Sequence, residues 1–152
     1  LQIMSELNIG DKAPLFEGVD QNNETIKSYN FLGKKVVVFF YPKASTPGCT
    51  AEACNLRDNY ERFLNKNYQV IGISADSVKK QKNFSDKNNL PFSLIADEDK
   101  NIIKAFGVWG PKKFMGKEFD GIHRTTFVID ENGNIENIIT KVQTKNHTEQ
   151  LL

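Results

Sequence analysis

The stretch Lys35-Val-Val-Val-Phe-Phe-Tyr41 constrains this 152-residue chain more than any other. It is an unbroken β-branched and aromatic run with no polar alternation, so it reads as a central strand buried on both faces. Such a strand needs sheet neighbours on either side and a packed layer above and below. Pro42 ends the run, because proline has no N–H to give to a ladder. Gln69-Val-Ile-Gly-Ile-Ser74 reads as a second buried strand. Arg124-Thr-Thr-Phe-Val-Ile-Asp130 and residues 135–142 flank Glu131-Asn-Gly-Asn134, whose Asn-Gly step signals a hairpin. A short strand fits residues 92–95. Residues 15–19 and 25–27 enclose Gln21-Asn-Asn-Glu24 as a further hairpin near the N-terminus.

Helical patterns fill the intervals. From residue 49 to about 65, Cys49, Ala53, Leu56, Tyr60, Phe63 and Leu64 recur at 3–4 spacing and form one apolar stripe. Residues 77–88 are polar but free of breakers, with Ser77 placed to cap them. Residues 99–106 put Ile102, Ile103 and Phe106 on one face and Gly107 at the C-terminal cap. Residues 144–152 read as a last helix. The order of elements predicts an α/β fold: a mixed central sheet with flanking helices, thioredoxin-like, with an N-terminal β-hairpin added. No linker, repeat or low-complexity tract divides the chain, so residues 1–152 are expected to form one domain. Residues 107–122 show little regular pattern, although they carry Trp109, Phe114, Met115 and Phe119. A stretch of that length reads as wall and lid on the active-site side, or as packing against the core.

Composition narrows the function. A hydrophobic content of 39% fills one sizeable core, and no run reaches the ~18 apolar residues of a membrane span. Net charge is +1 and the basic residues are scattered, so a nucleic-acid-binding face is not expected. The first residues lack a basic and then apolar signal sequence, and Met4 is a candidate native start with Leu1 to Ile3 ahead of it. The expected location is cytoplasmic. In that reducing setting the two cysteines, Cys49 and Cys54, read as redox-active or metal-binding rather than as a structural bridge.

The segment from Tyr41 to Cys54 brings these signals together. A buried strand ends at Pro42, a short loop follows, and Cys49 opens a helix. The first turn of a helix has unpaired N–H groups and the positive end of the macrodipole, which favour a thiolate over a thiol. The thiolate is the nucleophile, and helix N-termini and cations lower a thiol's pKa from roughly 8.5. Gly48 is expected to let a substrate approach, and the Thr46 hydroxyl can both donate and accept. Taken alone, Cys49 reads better as a small buried hydrophobe; the Thr-Pro-Gly-Cys loop after a buried strand favours the nucleophile. In an intact helix the Cα atoms of Cys49 and Cys54 would stand roughly 8.5 Å apart, beyond the ~7 Å reach of a disulfide. Either the pair never bonds, or oxidation unwinds the first turns; the second reading is preferred.

Pro42-x3-Thr46-x2-Cys49 resembles the peroxidatic loop of peroxiredoxins, and a cysteine five residues on is similar to the bacterioferritin comigratory protein, or Q-type, branch. The likeness runs from Gly10-Asp-Lys-Ala-Pro14 through Phe106-Gly-Val-Trp-Gly110, Phe114-Met-Gly-Lys117 and residues 121–130 to Thr144-Lys-Asn-His147. It implies Cys49 as peroxidatic cysteine and Cys54 as resolving cysteine. It further implies Thr46 holding the peroxide oxygens, Pro42 shielding the sulfenate, and Arg124 stabilising the thiolate and the developing charge. Spacing alone does not bring Arg124 to the site; on its own it reads as a strand-edge surface charge. The resemblance also implies hydrogen peroxide and organic hydroperoxides as substrates, thioredoxin or a glutaredoxin-like protein as reductant, no metal, haem or flavin, and a monomer rather than an obligate oligomer. His123 and His147 do not stand at the short spacings of metal ligands. Glu52, one turn after Cys49, is assigned nothing beyond complementing the helix dipole. Two other functions use the same residues: a thiol–disulfide oxidoreductase, which would want Cys-x-x-Cys, and a redox sensor whose helix unfolds on oxidation.

Overall fold

The computed structural model describes residues 6–152; the candidate start at Met4 lies outside them. Near the N-terminus β1 (Glu17–Val19) and β2 (Thr25–Lys27) form the expected antiparallel hairpin. Then come β3 (Lys35–Phe40), α1 (Pro47–Asp58), α2 (Tyr60–Asn65), β4 (Tyr68–Ser74), α3 (Val78–Asn88), β5 (Ser93–Ala96) and α4 (Asn101–Ala105). β6 (Trp109–Phe114) and β7 (Lys117–Ile122) make a separate hairpin, followed by β8 (Thr125–Ile129), β9 (Ile135–Ile139) and α5 (His147–Leu151). The main sheet has five strands in the order β5-β4-β3-β8-β9. β3, β4 and β5 run parallel; β8 is antiparallel to both β3 and β9.

The apolar run of β3 sits at the centre, as its sequence requires. Val36, Val38 and Phe40 face one core with Phe16, Ile103, Phe106 and Phe127. Val37, Phe39 and Tyr41 face the other, with Cys49, Ala53 and Leu56 of α1, Phe63 of α2 and Phe84 of α3. Gly72 on β4 makes this second face possible, since a Cβ there would stand 2.7 Å from the Phe39 ring and 2.9 Å from Leu94. Ser77 caps α3 by accepting from Lys80 N at 3.2 Å, and Gly107 leaves α4 at φ +71°.

Two sequence expectations are corrected. The single helix over residues 49–65 is two helices that meet at Asn59, and the first begins at Pro47, whose ring presets the φ of a first helical residue. The stretch 107–122, read as irregular, is largely the β6–β7 hairpin, with Lys112 opposite Phe119 and Phe114 opposite Lys117. Met115 and Gly116 turn it at φ +52° and +78°, the two positive φ values of a type I′ turn.

Candidate active site

The parallel strands deliver the loop after β3 to the end of the sheet where α1 starts. A buried polar network holds this loop from below. Asp76 Oδ2 accepts from Ala44 N at 2.7 Å and from the Ser74 hydroxyl at 2.6 Å. Gln81 donates to Ser74 Oγ and Ile95 O at 2.8 and 2.9 Å, and the Tyr41 hydroxyl donates to Gln81 Oε1. Burial pushes the Tyr41 phenol far above its ordinary range, so it remains a donor. Ser45 takes a left-handed φ of +66° to turn the chain into the helix, a conformation that costs a non-glycine residue about 1 kcal/mol. The loop is thus pinned on both sides of a strained residue.

Thr46 is the N-cap of α1, and its hydroxyl donates to Lys43 O at 2.7 Å. Its proton is committed to the loop, which leaves its lone pairs to accept. Cys49, third residue of α1, is only 1% exposed. In the first helical turn the N–H groups of Gly48 and Cys49 have no partner inside the helix. Arg124, immediately ahead of β8, reaches across from the neighbouring strand: Nη2 lies 3.3 Å from Cys49 Sγ and Nη1 donates to Glu52 Oε1 at 2.7 Å. A permanently charged fork thus faces a buried sulfur. Gly48 lets the guanidinium come close, because a Cβ at 48 would meet Arg124 Nη2 at 3.2 Å. A cleft of about 380 Å³ opens beside Arg124, lined also by Gly107, Lys112, His123, Thr125 and Thr140.

Of the residues singled out in sequence, Cys49, Thr46 and Arg124 come together around the start of α1, and Pro42 lies in the loop just before it. Cys54 lies apart. Both thiols are free on an intact α1, and the Cys54 sulfur is 3.7 Å from Asn88 Oδ1 on α3.

Glu52 is the residue that sequence reasoning undervalued. Its side chain is completely buried, with Arg124 at Oε1 and His147 Nε2 3.5 Å from Oε2. Burial raises its carboxyl to about 7 against the pull of Arg124. The signal was present: an acid at 52 shares the apolar stripe of Cys49, Ala53 and Leu56, and a charge on such a stripe requires a buried partner. His147, dismissed as a metal ligand, instead bonds Thr126 and Gln150, each at 2.7 Å.

Residues 9–138 match the AhpC/TSA family. Escherichia coli (strain K12) peroxiredoxin Bcp is 46% identical over 149 residues, which span 98% of this chain and 96% of that protein. The chain is a peroxiredoxin. Bacillus subtilis peroxiredoxin Bcp is 44% identical over 146 residues, covering 96% of this peroxiredoxin and 93% of the relative. Among solved structures, a cysteine-to-serine variant of Xylella fastidiosa PrxQ superimposes with a TM-score of 0.91 at 29% identity, covering 97% and 94% of the two chains. The bacterioferritin comigratory protein of Xanthomonas campestris does so with a TM-score of 0.85 at 30% identity, covering 93% and 94%. The peroxiredoxin resemblance, the Q-type branch and the thioredoxin-like fold read from sequence are therefore borne out, and this peroxiredoxin is a thiol-dependent peroxidase.

Proposed function

We propose that the enzyme reduces hydrogen peroxide and organic hydroperoxides with Cys49, resolves the product with Cys54, and is recycled by thioredoxin or a glutaredoxin-like protein in the cytoplasm. The observation that carries this reading is the buried Cys49 sulfur in the first turn of α1 with Arg124 Nη2 at 3.3 Å. The thiolate attacks the near oxygen of ROOH; the S–O bond forms as the O–O bond breaks. Charge moves onto the departing oxygen, which takes a proton and leaves as ROH. The guanidinium and the first-turn N–H groups stabilise that charge as it develops. Thr46 Oγ accepts the hydrogen bond of the peroxide O–H, because its own proton already goes to Lys43 O. Pro42, at the start of the loop, has the role of keeping water from the sulfenic acid.

Cys54 then attacks the Cys49 sulfenic acid, forming the disulfide and releasing water. The five-residue spacing on one helix forbids this while α1 is intact, so its first turns unwind. A dithiol reductant returns both cysteines to thiols.

The test is peroxide consumption with thioredoxin, thioredoxin reductase and NADPH. Wild type is expected to turn over, Cys49→Ser to be inactive, and Cys54→Ser to complete at most one turnover. A wild type that is inactive while its thiols react normally with a disulfide reagent would overturn the assignment and favour a redox sensor.

A further inference from the structure

Among the described residues, the only buried side-chain oxygen or nitrogen without a hydrogen-bond partner is Oε2 of Glu52. It faces His147 Nε2 at 3.5 Å, and neither side chain has any exposure. The other imidazole nitrogen fixes the state of the ring. Gln150 donates through Nε2 to Lys141 O at 3.0 Å and accepts at Oε1 from Gln143 N at 2.9 Å. That same Oε1 lies 2.7 Å from His147 Nδ1. Nδ1 therefore carries a hydrogen, and Nε2 is the nitrogen that titrates; when neutral it accepts from the Thr126 hydroxyl 2.7 Å away.

With Glu52 ionised and His147 neutral, two acceptors confront each other out of reach of water, the arrangement that burial penalises most. One proton removes the conflict wherever it sits. On Oε2 it leaves the carboxyl neutral beside the imidazole, whose Nε2 still accepts from the Thr126 hydroxyl. On Nε2 it completes an ion pair with the carboxylate, and the Thr126 hydroxyl turns to accept.

We propose that Glu52 and His147 hold one proton between them, and that this proton governs how much of the Arg124 guanidinium remains for the Cys49 sulfur. His147 is on this account a positioning residue for the peroxide step, acting through Glu52 and Arg124, and the proposal rests on Cys49 being the reacting thiol. With the proton in place, the buried set of thiolate, Arg124, Glu52 and His147 is neutral. Without it the set carries one negative charge, and Glu52 draws Arg124 towards itself at Nη1. The neighbouring charges do not replace the proton. Lys112 from β6 acts on Arg124 and the thiol, and Tyr41 and Asp76 lie towards the thiol from the β3 and β4 side. The partners of the Glu52 carboxyl are Arg124 and His147. Burial moves the two members past each other, Glu52 up to about 7 and His147 below its ordinary 6.5.

The test follows the imidazole nitrogen-15 resonances of His147 with pH in the reduced wild type, Cys49→Ser and Glu52→Gln, with His123→Gln used to assign the two histidines. Nδ1 is expected to stay protonated throughout. Loss of the shared proton, read at Nε2, is expected ~1 pH unit lower in Cys49→Ser, because the negative sulfur that holds the proton is gone. In Glu52→Gln that step should vanish, together with an alkaline fall in the rate constant for peroxide. Equal midpoints in wild type and Cys49→Ser, or an unchanged step in Glu52→Gln, would overturn the proposal. If Glu52→Gln does not fold, the Cys49→Ser comparison decides alone. Neither resonance measurement needs turnover, so an inactive enzyme would overturn the reaction assignment without deciding this one.

Discussion

Cys49 and Cys54 lie about one and a half turns apart on α1, yet they share almost no surroundings. The first half of the helix is held by charge: Arg124 on the Cys49 sulfur and on Glu52, with His147 behind. The second half is held by hydrogen bonds to backbone that do not involve the sulfur. Asn55 donates to Lys145 O and accepts from Thr148 N, Asn59 donates to Asn55 O, and Arg57 Nη1 reaches Asn88 O. The difference explains how one helix can serve two chemical states. A thiolate strengthens the contacts of the first half, whereas a neutral sulfenic acid weakens its contact with Arg124. The bonds of the second half are indifferent to the sulfur and would keep the helix attached to the body of the protein if, as proposed, its start unwinds.

Removing the charge from the first half gives the largest effect. Arg124→Ala is expected to lower the second-order rate constant of Cys49 with peroxide by about a hundredfold, the loss typical of one preorganised donor at a developing charge. Arg124→Lys should recover only part, because an ammonium cannot bond the sulfur and Glu52 as a fork does. Stopped-flow fluorescence of Trp109 would read both; a drop of less than fivefold for the alanine variant would break the comparison. Asn55→Ala should act on the other half, lowering stability in urea by about 1–3 kcal/mol through lost and stranded hydrogen bonds. Its peroxide rate constant should stay within about twofold of wild type, since no Asn55 contact reaches the thiol. Equal losses of rate in Asn55→Ala and Arg124→Ala would remove the distinction between the halves.

The smallest effect is a pH dependence. Folding raises the Glu52 carboxyl from its ordinary 4.5 to about 7 by burial, so the native state binds more protons between those values. The stability tied to this group is full below about 4.5 and is lost as pH rises through about 7. His147, lowered by burial, works in the opposite sense: its contribution is present above its ordinary 6.5 and is lost as pH falls through its folded value. Replacing the acid removes the first effect. Glu52→Gln should therefore gain stability relative to wild type between pH 5 and 8, on the order of 1 kcal/mol, measured by urea midpoints at each pH. A difference that stays constant with pH would show that Glu52 does not titrate in this range.

Much of the framework was legible in the sequence because burial on two faces leaves a plain mark. The run from Val36 to Tyr41 could only be central, and a loop and a cysteine after it marked the start of a helix. The β6–β7 hairpin left no such mark. Lys113, Phe114, Lys117, Glu118, Phe119 and Asp120 are all exposed on a ribbon packed little against the rest, so polar and apolar positions do not alternate. Its turn is Met-Gly rather than the Asn-Gly that announces β8–β9. The break at Asn59 was hidden because the apolar stripe continues across it. The contacts of Arg124 with Glu52 and Cys49 span 72 and 75 residues of sequence; antiparallel pairing of β8 beside β3 creates them, and local pattern carries no trace of such pairing.

The central claim is that the start of α1 opens on oxidation while the rest of the protein stays folded. Amide hydrogen exchange on the reduced and the Cys49–Cys54 disulfide forms tests it most directly. Amides from Thr50 to Cys54 are expected to lose protection by at least about a hundredfold in the disulfide form, as in local opening that frees one segment, while α2 and β3 keep theirs. Equal protection of residues 50–54 in both redox states would contradict the account.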